Sequence, residues 1–245
     1  MVKARFTSLD VCAMVRSLRS TLLGYRISNV YDLNRKTYVL KLAKPDHPKL
    51  LLLIESGVRV HLTKYARDKG QIPSGFTIKL RKHVRSRRIE AVRQLGTDRV
   101  LVLTCGSGAA QHTLLIELYD RGNIVLLDSE GAVLTLLRNS KHDADARVTV
   151  GDVYSLEPSI SLEKVSREWL VRRMSAAEPR TTLRGVLLRA MPLGKELIEH
   201  VLCVSAAPPN LKMADKPWED EATVDRLVDA LRDAERYVWV EGGEI

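Results

Sequence analysis

Between Pro73 and Thr104 the chain holds the residues best suited to chemistry on a polyanion. Lys79, Arg81, Lys82, Arg85, Arg87, Arg88 and Arg93 face a single acid, Glu90, within fifteen residues. Cations at that density neutralise a phosphate backbone and release the counterions condensed on it. Phe76, Leu80 and Val84 recur at i, i+4, i+8. That spacing predicts a helix from Ser74 to about Arg85, with one apolar stripe and with Arg81, Lys82 and Arg85 fanning into water. From Ile89 the period becomes two: Ile89, Ala91 and Arg93 alternate with Glu90, Val92 and Gln94, as on a strand. Gly96-Thr97-Asp98-Arg99 reads as a turn, and Val100–Leu103 leaves it as a more buried strand. A basic helix and a basic strand are then expected to meet beside a turn holding an acid and an arginine. The competing reading is a charged face turned to water.

The charge balance says where a polyanion would bind. Of the 245 residues, 45% are hydrophobic and 28% charged, the profile of a globular protein with one large core or two modest ones. The net charge of +9 is uneven: residues 1–150 carry 26 Lys/Arg and 13 Asp/Glu, a net +13, and residues 151–245 carry 13 and 17, a net −4. The division into a basic β-rich domain, 1–150, and a helical module, 151–245, follows that shift. Cys12, Cys105 and Cys203 are far apart with no CxxC pair, against a zinc ribbon or a secreted disulfide framework and in favour of a reducing compartment. No apolar run suits a membrane span. The six histidines have no partner at ligand spacing, so no metal is expected, and the absence of phosphate-loop, dinucleotide, nucleophile-elbow and HExxH motifs implies no cofactor.

The elements that must position these residues are also legible. Thr7-Ser8-Leu9-Asp10 fits a capping box, with Phe6 and Val11 at staple positions, opening a helix that Gly24 stops. Short strands follow at Ile27–Leu33, Thr37–Leu42, Leu50–Ile54 and Val58–Leu62. After the basic helix come Ile89–Leu95, Val100–Thr104, Thr113–Tyr119, Ile124–Leu127 and Val133–Leu137. Regular turns between them predict an antiparallel meander or sandwich. Helices are expected at Leu162–Met174, Thr182–Ala190, Lys195–Val204 and Ala222–Tyr237, the middle pair as a plain αα-hairpin rather than a phosphate-binding helix-hairpin-helix. Tyr237-Val238-Trp239-Val240 reads as the start of a strand without a partner, an expectation that the chain is part of something longer.

Several separate motifs then coincide. Arg5-Phe6-Thr7-Ser8-Leu9-Asp10, Asn29-Val30-Tyr31-Asp32, Leu53-Ile54-Glu55-Ser56-Gly57, Arg81-Lys82-His83, Leu95-Gly96-Thr97-Asp98-Arg99 and Glu117-Leu118-Tyr119-Asp120-Arg121-Gly122-Asn123-Ile124-Val125-Leu126 occur in that order. The chain in this respect resembles the N-terminal region of the NFACT family, in its eukaryotic form. The resemblance implies an α+β fold: a β-sandwich with flanking helices, similar to the N-domain of formamidopyrimidine DNA glycosylases, followed by a helical, helix-hairpin-helix-like module. It implies ribosome-associated quality control in the cytoplasm, with the nucleus as a second location. Partners would be a large ribosomal subunit holding peptidyl-tRNA, alanine and threonine tRNAs for template-free tailing, and, in the full-length protein, a listerin-type ubiquitin ligase. The family's functional positions correspond here to Asp10, Asp98 and Arg99. Arg99 suits paired, charge-assisted bonds to a tRNA phosphate or stacking on a base, and an aspartate beside it suits orienting that arginine. Neither role needs proton transfer, so a binding protein rather than an enzyme is expected. Asp10 retains its capping role as an alternative. The glycosylases' nucleophilic proline and glutamate are replaced by Val2 and Lys3, which sets a repair enzyme second to RNA binding. A protein-interaction module is the other alternative.

Overall fold

Alternating apolar residues and short polar turns fold into two antiparallel meanders. The computed structural model describes residues 5–65, 68, 72–138, 148–157, 165–191, 193–234 and 237. It divides into two compact units, one of Met1–Phe6, Ala13–Leu95 and Arg99–Leu156, the other of Thr7–Cys12, Gly96–Asp98 and Glu157–Ile245.

In the first unit, β1 (Arg26–Asp32), β2 (Thr37–Ala43), β3 (Leu50–Glu55) and β4 (Arg59–Thr63) pair in chain order as one sheet. A second sheet, β5 (Ile89–Gln94), β6 (Val100–Cys105), β7 (His112–Glu117), β8 (Asn123–Leu127) and β9 (Val133–Leu136), does the same. Every pairing is antiparallel. The α+β class and all nine strands agree with the sequence pattern, with ends displaced by one or two residues. β6 is buried on both faces, Val100 through Leu103 each being at most 2% exposed. Val102, Leu115 and Val125 cluster on one face of the sheet beneath Val148, Tyr154 and Leu156. Each such side chain contributes roughly 1.5–3 kcal/mol by leaving water.

The expected alternation in β5 fails at one residue. Ile89 pairs with Cys105 and Ala91 with Thr104, so Glu90 is an extra residue, a β-bulge. The bulge turns Ile89 and Val92, rather than Ile89 and Ala91, into the core. β1 carries the same device at Ser28, burying Ile27 and Val30. These two strands also join the sheets. Ile27 N donates to Arg87 O (2.9 Å), Ser86 N to Ile27 O (2.7 Å) and Ile89 N to Tyr25 O (2.8 Å). At the other end the β3–β4 and β7–β8 turns touch backbone to backbone. A Cβ on Gly122, whose φ is +69°, would lie 1.9 Å from Gly57 N.

Helix α1 (Ser8–Leu22) opens with the expected capping box. Asp10 N donates to Thr7 Oγ1 (3.4 Å) and Thr7 N to Asp10 Oδ2 (2.7 Å). The second unit carries α3 (Arg167–Ser175), α4 (Leu183–Ala190), α5 (Gly194–Val204) and α6 (Glu221–Asp233) around Leu170, Leu187, Ile198 and Leu227. The first of these helices starts later than its apolar period suggests, because the Ser166 side chain accepts from Trp169 N and caps it there. α6 stops at Asp233, earlier than the expected Tyr237. Of the strand expected at 237–240, Tyr237 is helical instead, and 238–240 lie outside the described residues. Among the described residues no helix is long and apolar enough to cross a membrane.

Candidate nucleic-acid interface

The basic helix is α2 (Gly75–Val84), close to its expected span. Ser74 caps it by accepting from Thr77 N (3.2 Å), and Thr77 Oγ1 donates to Asp32 Oδ1 (2.6 Å). Asp32 also accepts from Ser74 N at 3.3 Å, so a carboxylate on β1 holds the positive end of the helix dipole. Leu80, Val84 and the unforeseen Thr77 are its buried residues, while Phe76 is only half-buried and meets the Tyr38 ring edge-on at 5.4 Å. The helix packs on β1 and β9.

Its cations divide by what they touch. Lys79, Lys82 and Arg85 are exposed and, like exposed Arg93, form no ion pair among the described residues. Arg81 does not fan into water as expected. Its Nε donates to Val30 O (2.8 Å) and its guanidinium lies 5.5 Å from the Tyr31 ring centroid, because α2 packs on β1. Arg87 is half-buried with Nε on His83 O (3.4 Å). Arg88 pairs with Glu90 at 2.8 Å, which largely cancels its charge locally. His83, 5.2 Å from the His112 ring, has its pKa lowered by burial and then by His112 and Lys82, so it takes up a proton less readily than an ordinary histidine. Arg26 was missed: its Nη1 donates to Ser86 O (3.0 Å), beside Arg85 and Arg87. Its position at the start of a strand gave no spacing signal; only the pairing of Arg26 with Arg88 brings it there.

The loop after α2 and the turn before β6 lie at opposite ends of one strand. β5 separates the loop after α2 from that turn by about 17 Å of extended chain. Asp98 and Arg99 do form a turn, but both are half-buried rather than exposed. Arg99 O accepts from Leu118 N (2.8 Å), which fixes the arginine's backbone at the end of β7. Asp98 belongs to the second compact unit, as does Asp10. Asp10 Oδ2 receives both the amide and, at 2.9 Å, the hydroxyl of Thr7. The first residue of α5, Gly194, approaches the start of α1, its Cβ position lying 3.9 Å from Ser8 Oγ. Two helix N-termini thus come together near Asp10, an arrangement that favours negative charge there.

The profile of the NFACT N-terminal and middle domains matches residues 7–235. The chain belongs to the NFACT N-terminal family. It is 38% identical over 239 residues to the human ribosome quality control complex subunit NEMF, covering 97% of this chain and 22% of that protein. It is 45% identical over 162 residues to ribosome quality control complex subunit 2 of Schizosaccharomyces pombe, covering 64% of this chain and 16% of that one. This chain therefore spans about a fifth of the length of these relatives. The solved N-terminal region of the fibronectin/fibrinogen-binding protein of Streptococcus suis shares the fold, with TM-score 0.60 at 22% identity, covering 94% of this chain and 84% of that one.

Proposed function

We propose that this chain is the tRNA- and large-subunit-binding part of a ribosome quality control factor, acting by binding and positioning RNA rather than by catalysis. The observation that carries the proposal is an exposed cation row, Lys79, Lys82 and Arg85, in a chain 38% identical to a human ribosome quality control subunit. Arg26 and Arg87 extend that row, and Arg81 serves it by fixing α2 on β1. Asp10, Asp98 and Arg99 are the residues assigned to tRNA recognition, Arg99 through its phosphate or base contact. In a longer protein the same module would recruit alanine and threonine tRNAs to a stalled subunit for template-free tailing. Seating of a listerin-type ligase would fall to other segments.

The test is anisotropy of a fluorescently labelled tRNA titrated with the chain at salt from about 50 to 200 mM. Affinity is expected to fall steeply across that range. Lys79→Glu with Lys82→Glu and Arg85→Glu should weaken it further, and Asp98→Ala with Arg99→Ala should weaken it as well. A flat salt response, or full affinity in the triple charge reversal, would overturn the proposal.

A further inference from the structure

Sequence order hides a second group of cations. Strands β6 to β9 alternate in direction, so the start of β6, the end of β7, the start of β8 and the end of β9 share one end of their sheet. Arg99 precedes β6, Arg121 lies between β7 and β8, and Arg138 follows β9. At about 4.8 Å per strand this row is about 14 Å wide. The turns of the other sheet reach the same end. Ser56 N donates to Lys36 O (2.9 Å), Gly57 N donates to Glu117 O (3.1 Å), and Gly57 abuts Gly122. Arg138 Nη1 donates to Arg121 O (2.7 Å) and Arg5 Nη1 to Asp120 O (2.9 Å). Two guanidinium groups are therefore fixed on consecutive carbonyls of one turn. Asn123 fixes Arg138 further, through Nδ2 on Arg138 O (3.1 Å) and Arg138 N on its Oδ1 (3.0 Å).

Carbonyl partners orient Arg5 and Arg138 without cancelling their charge. Among the described residues Arg5, Lys36, Arg121 and Arg138 form no ion pair. Of the acids near these strand ends, Glu55 is paired with Arg59 (3.0 Å), while Asp32, hydrogen-bonded to Ser74 and Thr77, and Glu117, bonded to Tyr154 (2.9 Å), meet neutral donors. Asp120 is exposed on the turn itself and Asp98 precedes Arg99, against the cations Arg5, Lys36, Arg99, Arg121 and Arg138. A guanidinium held by one Nη keeps further N–H groups for a phosphate. Tyr119, 38% exposed in the same turn, offers a ring on which a base can stack. A duplex presents one charge per about 1.7 Å of axis, so a 14 Å row faces several phosphates at once. Among the described residues of these turns Tyr119 is the one exposed large apolar side chain, less than the apolar core of a protein interface needs.

We propose that Arg5, Lys36, Arg121 and Arg138 form a second phosphate-backbone contact, continuous with Arg99 and separate from the α2 row. The proposal rests on the RNA-binding reading above. Its occupant is structured RNA, gripped at the turn end while another stretch lies along α2.

The test compares Lys36→Ala with Arg121→Ala against the α2 triple reversal, using labelled tRNA over the same salt range. Both side chains are exposed, so circular dichroism should be unchanged. The turn variant should weaken binding on the order of fivefold or more at about 100 mM salt and lower the salt slope by about two. Arg121→Lys alone should keep the slope. Unchanged affinity and slope in the turn variant, while the α2 variant loses binding, would refute the second contact and leave the function standing. No binding by the unmodified chain would instead refute the RNA reading itself. Equal competition by a polyglutamate peptide of matched charge would overturn the choice of RNA as occupant.

Discussion

Replacing Gly122 with alanine tests the junction on which the two sheets' turns depend. Two costs apply. The φ of +69° lies in the left-handed region, where a Cβ costs about 1–2 kcal/mol. The new carbon would also lie 1.9 Å from Gly57 N and 2.3 Å from Gly57 Cα, backbone atoms that cannot rotate aside. Overpacking of that kind adds about 1–3 kcal/mol, because the turns must separate. Gly108→Ala is the matched control: its φ is +56° and nothing lies within 4 Å of the added carbon. It pays the conformational cost alone. Urea unfolding followed by far-UV circular dichroism suits the comparison, since Trp169 and Trp218 lie in the helical unit and report on it alone. Gly122→Ala should cost about 2–5 kcal/mol and exceed Gly108→Ala by about 1–3. Equal losses within about 0.5 kcal/mol, the usual range of an uneventful surface change, would refute the reasoning.

Two further outcomes follow from buried groups. Burial raises the Glu117 pKa above its ordinary 4.5, against smaller lowering by hydrogen bonds from Tyr154 and Tyr119. A raised folded pKa means the folded state binds the proton more tightly, so this stabilisation is complete below 4.5 and is lost as pH rises through the raised value. Glu117→Gln keeps an oxygen for the Tyr154 hydroxyl and removes the titration; urea melts across that window should show wild type losing stability relative to the variant as pH rises. A constant difference would contradict the assignment. Cys203 is exposed, whereas Cys12 and Cys105 are buried and burial pushes the Cys105 thiol up to about 12. A disulfide reagent at neutral pH should therefore label Cys203 quickly and the other two only on unfolding, and rapid native labelling of Cys105 would count against its burial.

The strands were legible because each is a short apolar run closed by Gly, Asn or Asp turns, and local pattern suffices when every strand pairs with its chain neighbour. The bulges were not. Glu90 and Ser28 look like ordinary members of an alternating run, and only the partner strand reveals the additional residue. Clustering of charge located α2 but not the use of each charge. Arg81 reads like Lys82 in sequence, yet one is bonded to Val30 O and the other is exposed. Adjacency in sequence also misled: Arg85 and Arg99 belong to one basic stretch, but the length of β5 separates them. The turn cluster was invisible for the opposite reason. Arg5, Lys36, Arg121 and Arg138 are scattered, and two glycines with positive φ, 65 positions apart, bring their turns together.

The unbroken chain order within each sheet has a consequence for how the polypeptide reaches this state. No strand of either sheet waits for a partner encoded far downstream. The first sheet has all its strands once Thr63 has been synthesised, and the second begins at Ile89 and draws on nothing earlier for its ladder. Each hairpin closes a short loop, which keeps the entropic delay before pairing small. The slow event is then the docking of Tyr25–Ile27 onto Ser86–Ile89, whose hydrogen bonds span some sixty residues. A nascent chain of this protein would thus leave the ribosome in two instalments, each able to pair its own strands before the two sheets join.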